Sequence, residues 1–183
     1  MNEEEAEDHG HLPRLPESAY QGKVVVHWSF TVHQRRLGWL SPSFHDTFRW
    51  VLLHGCARYE MGCLIYCLMP DHIHLLVAGW TNEADQMLFV RFVRRHLNPL
   101  LLQAGVEGQK QPYDHVLRKD DRDRYGVESV AGYIAENPVK AGLVTLRQEW
   151  PFTGSVLPGY PELHPHMKDY WFRYWRIRAS FQK

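Results

Sequence analysis

The chain has 183 residues, enough for one domain with a real core, and 21 basic side chains balance 21 acidic ones. Its apolar and charged fractions are those of an ordinary soluble globular protein, and no apolar run approaches the roughly 20 residues that a bilayer span needs. The N-terminus lacks a basic stretch leading into an apolar one, so no secretory signal and a cytoplasmic location are expected.

The balanced charge conceals an asymmetry. Glu3, Glu4, Glu5, Glu7 and Asp8 fall within the first eight residues, which hold no Lys or Arg, so the remainder carries a net charge near +5. A mildly basic body suits a polyanionic partner. The three cysteines, Cys56, Cys63 and Cys67, are odd in number and closely spaced. They do not form a disulfide framework and read as small buried filler.

Residues 1–18 are acidic, contain proline and show no periodicity, and they read as a flexible arm. Val24 to Val32 is rich in β-branched and aromatic residues and predicts a first strand. Ser41-Pro42 then supplies an N-cap and an N1 proline, and Phe44, Phe48, Val51, Leu52 and Cys56 follow at helical spacing towards Gly62. Cys63 to Met69 predicts a second strand, Pro70-Asp71 a turn, and His72 to Ala78 a third strand paired with it as a hairpin.

Thr81 or Asn82 can cap a second long helix whose apolar set is Met87, Leu88, Val90, Phe92, Val93 and Leu97. A short strand is expected around His115 to Leu117, then a charged loop from Arg118 to Arg124. A third helix covers about Val127 to Glu136, breaks near Pro138, and can resume for one turn before Gly142. The order β-α-β-β-α-β-α predicts an α+β fold with a ferredoxin-like antiparallel sheet and helices on one face or both. The expected divisions are an arm at 1–18, a catalytic domain at 19–155 and an aromatic, basic tail at 156–183.

Two stretches could carry chemistry. In the third strand His72 and His74 flank Ile73, and alternation puts both imidazoles on one face, as half of a metal site or as two partly buried sheet histidines. In the third helix Tyr133 and Asn137 are four apart and share a face. Were that face to meet the histidine strand, one side chain could complete a metal site while the other presents a phenol. Asn137 is also suited to N-cap the turn after it, and Glu136 or His115 could substitute as ligands. Tyr125 is the alternative phenol.

Together, Met69-Pro70-Asp71-His72-Ile73-His74-Leu75-Leu76 and Tyr133-Ile134-Ala135-Glu136-Asn137-Pro138-Val139-Lys140-Ala141-Gly142-Leu143-Val144 resemble the HUH single-tyrosine transposases, in particular the REP-associated tyrosine transposases. The similarity runs from about Val24 to Phe152. The resemblance implies that His72 and His74 bind a metal, that Tyr133 is the nucleophile, and that Asn137 is a third, polar ligand. It further implies a metal-dependent single-strand endonuclease and strand transferase acting on hairpin-forming DNA through a 5′-phosphotyrosine. Either a monomer or a homodimer fits. Mixed imidazole and oxygen ligation suits Mg²⁺ or Mn²⁺, and no P-loop is present, as expected if strand exchange needs no nucleotide hydrolysis.

Two other readings fit the same residues. One is a nucleic-acid-binding module on this fold without cleavage. The other is a zinc-stabilised interaction protein built on Cys63, Cys67, His72 and His74, since alternation puts Cys63, Ile65 and Cys67 on one face. DNA phosphates could meet Arg91, Arg94 and Arg95 on the second helix and Arg118, Lys119, Arg122 and Arg124 in the loop. In the tail, Arg173 and Arg176 interleave with Trp171, Phe172 and Trp175, which suits stacking on unpaired bases and equally suits packing onto the domain.

Overall fold

The computed structural model describes residues 14–117 and 123–181. Five antiparallel strands form one sheet: β1 (Val25–Thr31), β2 (Met61–Leu68), β3 (His72–Gly79), β4 (Tyr113–Val116) and β5 (Thr153–Val156), in the order β4-β1-β3-β2-β5. The helices are α1 (Pro42–Arg58), α2 (Gln86–Gln103), α3 (Arg124–Ala135), α4 (Asn137–Lys140) and α5 (Tyr170–Ser180). The first four strands with α1 and α2 make the β-α-β-β-α-β unit expected of a ferredoxin-like sheet. β5 extends it past β2.

Helices cover both faces. On one, α1 and α2 bury Phe44, Phe48, Leu52, Phe89, Val93 and Leu97 against Val26, Trp28, Leu75 and Val77. On the other, α3 and α5 bury Val127, Ala131, Ile134, Tyr170, Tyr174 and Ile177 against Val25, Leu76 and Ala78. One polar side chain sits inside the first layer. Gln86 is fully buried, accepting from Trp28 Nε1 at 3.1 Å and donating to the carbonyl of Val77 at 3.0 Å. It ties α2 to β1 and β3 with its polar atoms satisfied.

Several expectations need correction. The second helix is capped by Asp85, whose carboxylate accepts from the amides of Met87 and Leu88, not by Thr81 or Asn82. A bulge between Cys63 and Ile65 breaks the alternation of β2, so Cys63 packs with α1 and α2 while Cys67 faces α3 and α5. That removes the shared face on which the zinc reading stood. Residues 14–18 are exposed, with Arg14 paired to Asp114 at 3.3 Å and lying over the Trp28 ring. In the chain after 156, α5 supplies Tyr170, Tyr174 and Ile177 to the core. Among the described residues no helix is long and apolar enough to cross a membrane.

Candidate active site

The site starts from a tight turn. Met69 N donates to His72 O at 2.8 Å across Pro70-Asp71, which sets the hairpin and aims His72 and His74 from the first residues of β3. In the sheet, His74 lies opposite Ser29 of β1 and Cys67 of β2, and His72 opposite Thr31. His74 is 7% exposed, while His72 is half-buried at the open end.

Asp71 orients the outer histidine. Its Oδ1 accepts from His72 Nδ1 at 2.6 Å and its Oδ2 accepts from Arg35 at 2.7 Å. Burial pushes this carboxyl up, but the bonds from His72 and Arg35 outweigh it and hold the group below its ordinary value. Gln34 and Arg35 both adopt the left-handed backbone region, φ 54° and 50°, in the turn that delivers the guanidinium. With its proton on Nδ1, His72 presents a lone pair at Nε2.

That Nε2 lies 2.9 Å from Nε2 of His74. Two ligands at about 2.1 Å in adjacent octahedral positions would be about 3.0 Å apart, so the pair fits one divalent cation between its nitrogens. The carboxylate behind His72 is the support such a ligand requires. On its far side His74 meets His27 of β1, Nδ1 to Nε2 at 3.0 Å. Burial, then the neighbouring His72 and His27, push His74 down to about 3. Burial, with His115 beside it, pushes His27 down to about 4. Both are therefore neutral at pH 7, the form that can ligate a metal.

Tyr133 completes the constellation from the other layer. It lies in the last turn of α3, 49% exposed, with its ring centroid 6.3 Å from that of His74 and 6.5 Å from that of His27. The Lys140 ammonium stands over the ring at 4.4 Å. Asn137 Nδ2 donates to the carbonyls of Tyr133 and Ile134, at 3.0 and 3.3 Å. The expected N-cap role is therefore corrected: α4 is capped at Glu136, and the Asn137 amide instead closes the end of α3.

The two substitute ligands differ in placement, His115 being next to the histidine cluster. Glu136 pairs with Arg147 at 3.3 Å, and His115 lies opposite His27 on β4. Tyr125 is 84% exposed in the first turn of α3, about 12 Å along the axis from Tyr133. Among the described residues no three His, Cys, Asp or Glu side chains form a metal cage.

The proposed phosphate contacts divide. Arg91, Arg94 and Arg95 lie on α2, the layer opposite Tyr133. Arg124 lies over the Trp175 ring, Arg176 over Phe172, and Arg173 pairs with Glu162. Arg118, Lys119 and Arg122 lie outside the described residues. Sequence reasoning missed His27, Arg35, the carboxylate role of Asp71 and Lys140. The available signal for Lys140 was its spacing, seven residues after Tyr133.

No family model matches this chain. A curated Haemophilus influenzae protein named for the REP-associated tyrosine transposases is 25% identical over 152 residues, 75% of this chain and 83% of that protein. A solved structure of a REP-associated tyrosine transposase bound to a REP hairpin matches with a TM-score of 0.62 and 18% identity, covering 79% of this chain and 81% of that one. The chain is thus similar in sequence to a protein named for the REP-associated tyrosine transposases and shares the fold of the hairpin-bound structure.

Proposed function

We propose that this chain is a metal-dependent endonuclease and strand transferase acting on single strands that flank hairpin-forming DNA. The observation that carries the reading is the juxtaposition of Tyr133, from α3, with the His72–His74 pair of β3. Phenols are abundant and histidine pairs common, but a half-exposed phenol beside two converging lone pairs is suited to phosphoryl transfer.

His72 and His74 would hold the cation through their Nε2 atoms, with Asn137 Oδ1 as the candidate third ligand. When bound, Mg²⁺ or Mn²⁺ neutralises phosphate charge and orients the scissile bond, and Mn²⁺ tolerates imidazole better. Tyr133 Oη attacks phosphorus in line, and its half-exposed ring lets the proton pass to solvent. The P–O3′ bond breaks, the 3′ oxygen leaves as a hydroxyl, and a 5′-phosphotyrosine remains. Attack by another strand's 3′-hydroxyl reverses the step and restores the phenol. Lys140 is placed to meet phosphate charge at the attacking ring.

The test is a covalent adduct. A labelled hairpin oligonucleotide with single-stranded flanks, incubated with Mn²⁺, should yield a protein–DNA species that survives denaturing electrophoresis. Tyr133→Phe should abolish it while retaining DNA binding and the parent melting temperature. An adduct persisting in that variant removes Tyr133 as nucleophile. Binding without any adduct in the parent favours the binding-module reading.

A further inference from the structure

The molecule carries a second charged feature that the site does not use. α1 and α2 together hold Arg49, Arg58, Arg91, Arg94 and Arg95 against a single acid, Asp46. Among the described residues none of these five arginines has a carboxylate partner, whereas Arg14, Arg35, Arg147 and Arg173 each have one. Arg49, Arg58, Arg91 and Arg95 are exposed, and Arg58 and His96 line a cavity of about 420 Å³ between the two helices.

The path of the N-terminal segment decides what can reach this layer. Gln21 bridges Asp85 at the start of α2. Seven residues earlier, Arg14 lies close enough to Arg94 for their charges to repel. The segment therefore leads out at the β4 edge of the sheet, where Arg14 holds Asp114 and the Pro112 carbonyl, with Arg94 of α2 within electrostatic range. Just beyond lie Asp8, Glu7, Glu5, Glu4 and Glu3, six to eleven residues before Arg14. At up to about 3.5 Å per residue those acids reach roughly 20–40 Å, against about 27 Å for the whole of α2.

We propose that the acidic segment Glu3–Asp8 docks on the arginine layer of α1 and α2, chiefly Arg91 and Arg95, and shields that layer from other polyanions. Each exposed ion pair is weak. Tethering supplies the rest: a linker this short sets an effective concentration of the order of millimolar, so five acids near the exposed Arg58, Arg91 and Arg95 compete with free polyanions. The contact is screened by salt, with a Debye length of about 8 Å at 0.15 M. The proposal stands apart from the assignment of Tyr133 and can be tested without DNA.

Because Cys56, Cys63 and Cys67 are all buried, Asn2→Cys provides a single reactive thiol for a nitroxide label. In the labelled full chain the backbone amides of Arg58, Arg91 and Arg95 should lose more than about half their intensity at low salt and recover at about 0.5 M. Recovery is also expected when Glu3, Glu4, Glu5 and Glu7 are changed to Gln and Asp8 to Asn. Equal broadening in that neutralised chain, or broadening centred on Tyr133 and Lys140, overturns the proposal. The neutralised chain should also bind inorganic polyphosphate about fivefold more tightly. In an Arg91→Gln, Arg95→Gln background, neutralisation should have no such effect. A fivefold gain that persists there reflects net charge alone and equally overturns the proposal.

Discussion

Asp71 is the smallest unit on which the proposed metal chemistry depends. Its two oxygens are divided between Arg35 and His72, so one carboxylate fixes both the ring plane and the protonated nitrogen of the outer histidine. Losing an outer partner of this kind typically costs 10–100-fold in metal affinity. Asp71→Ala should therefore weaken Mn²⁺ binding by about that factor, read by titration calorimetry. Asp71→Asn, which keeps an acceptor for His72, should recover part of it. Unchanged affinity in Asp71→Ala would show that the turn alone orients the ring. His45, on the opposite layer, makes a different residue-scale prediction. Burial, then Arg49, lowers its pKa from 6.5, so the folded state holds it neutral while the unfolded chain takes up a proton near pH 6.5. Its contribution to stability is thus present above about pH 6.5 and lost as pH falls through that value toward the depressed folded one. Comparing the parent with His45→Gln by urea unfolding at pH 7.5 and 5.5 isolates this group. The parent should lose more stability than the variant on acidification, and equal losses would dismiss the assignment.

At the scale of elements, β5 shows how a strand can be set by its neighbour. It is four residues long and contains Gly154, directly opposite Tyr66 of β2. A Cβ at Gly154 would overlap the Tyr66 hydroxyl, and that ring is buried and hydrogen-bonded to His45 at 2.9 Å. Gly154→Ala should cost about 1–3 kcal/mol through overpacking. For a chain of this size that is a fall in melting temperature of roughly 3–10 °C by differential scanning calorimetry. Adding Tyr66→Phe should restore part of the loss, and a fully additive double variant would place the strain elsewhere. Nothing local announces β5: Thr153-Gly154-Ser155-Val156 has one large apolar residue, and its partner is almost 90 residues away. By contrast α1 was legible because Ser41-Pro42 satisfies a cap locally, the Ser41 hydroxyl accepting from Phe44 N at 3.2 Å. The β2–β3 hairpin was legible for the same reason, its turn chemistry lying within four residues. His72, His74 and Tyr133 stood out as short-range patterns within recognisable motifs. His27 did not, since its contact with His74 comes from the register between β1 and β3. The bulge in β2 was equally invisible, because alternation is the only local rule a strand offers.

Over the whole molecule, the sheet is covered by two unlike layers. α1 and α2 form a continuous helical pair, while the opposite face is shared by α3 and the far end of the chain. The aromatics of 170–177 are spaced for that duty: Tyr170, Tyr174 and Ile177 fall at i, i+4 and i+7 and are buried against the sheet. The Tyr170 hydroxyl donates to the carbonyl of Leu64, and Trp175 Nε1 donates to Glu128 on α3 at 2.8 Å. Most of the aromatic payload is therefore spent on packing, while Phe172 remains exposed for other contacts. A chain stopped after Pro158 would lose Leu163, Tyr170, Tyr174 and Ile177, all buried. At about 1.5–3 kcal/mol for each large side chain, the loss is roughly 6–12 kcal/mol. This is comparable with the whole stability of a typical domain, about 5–15 kcal/mol. The truncated chain should lack a cooperative thermal transition and bind a hydrophobic dye, even though the His72, His74 and Tyr133 sequence positions are untouched. A cooperative melt within a few degrees of the parent would instead make α5 a dispensable appendage and leave the α3 face stable without it.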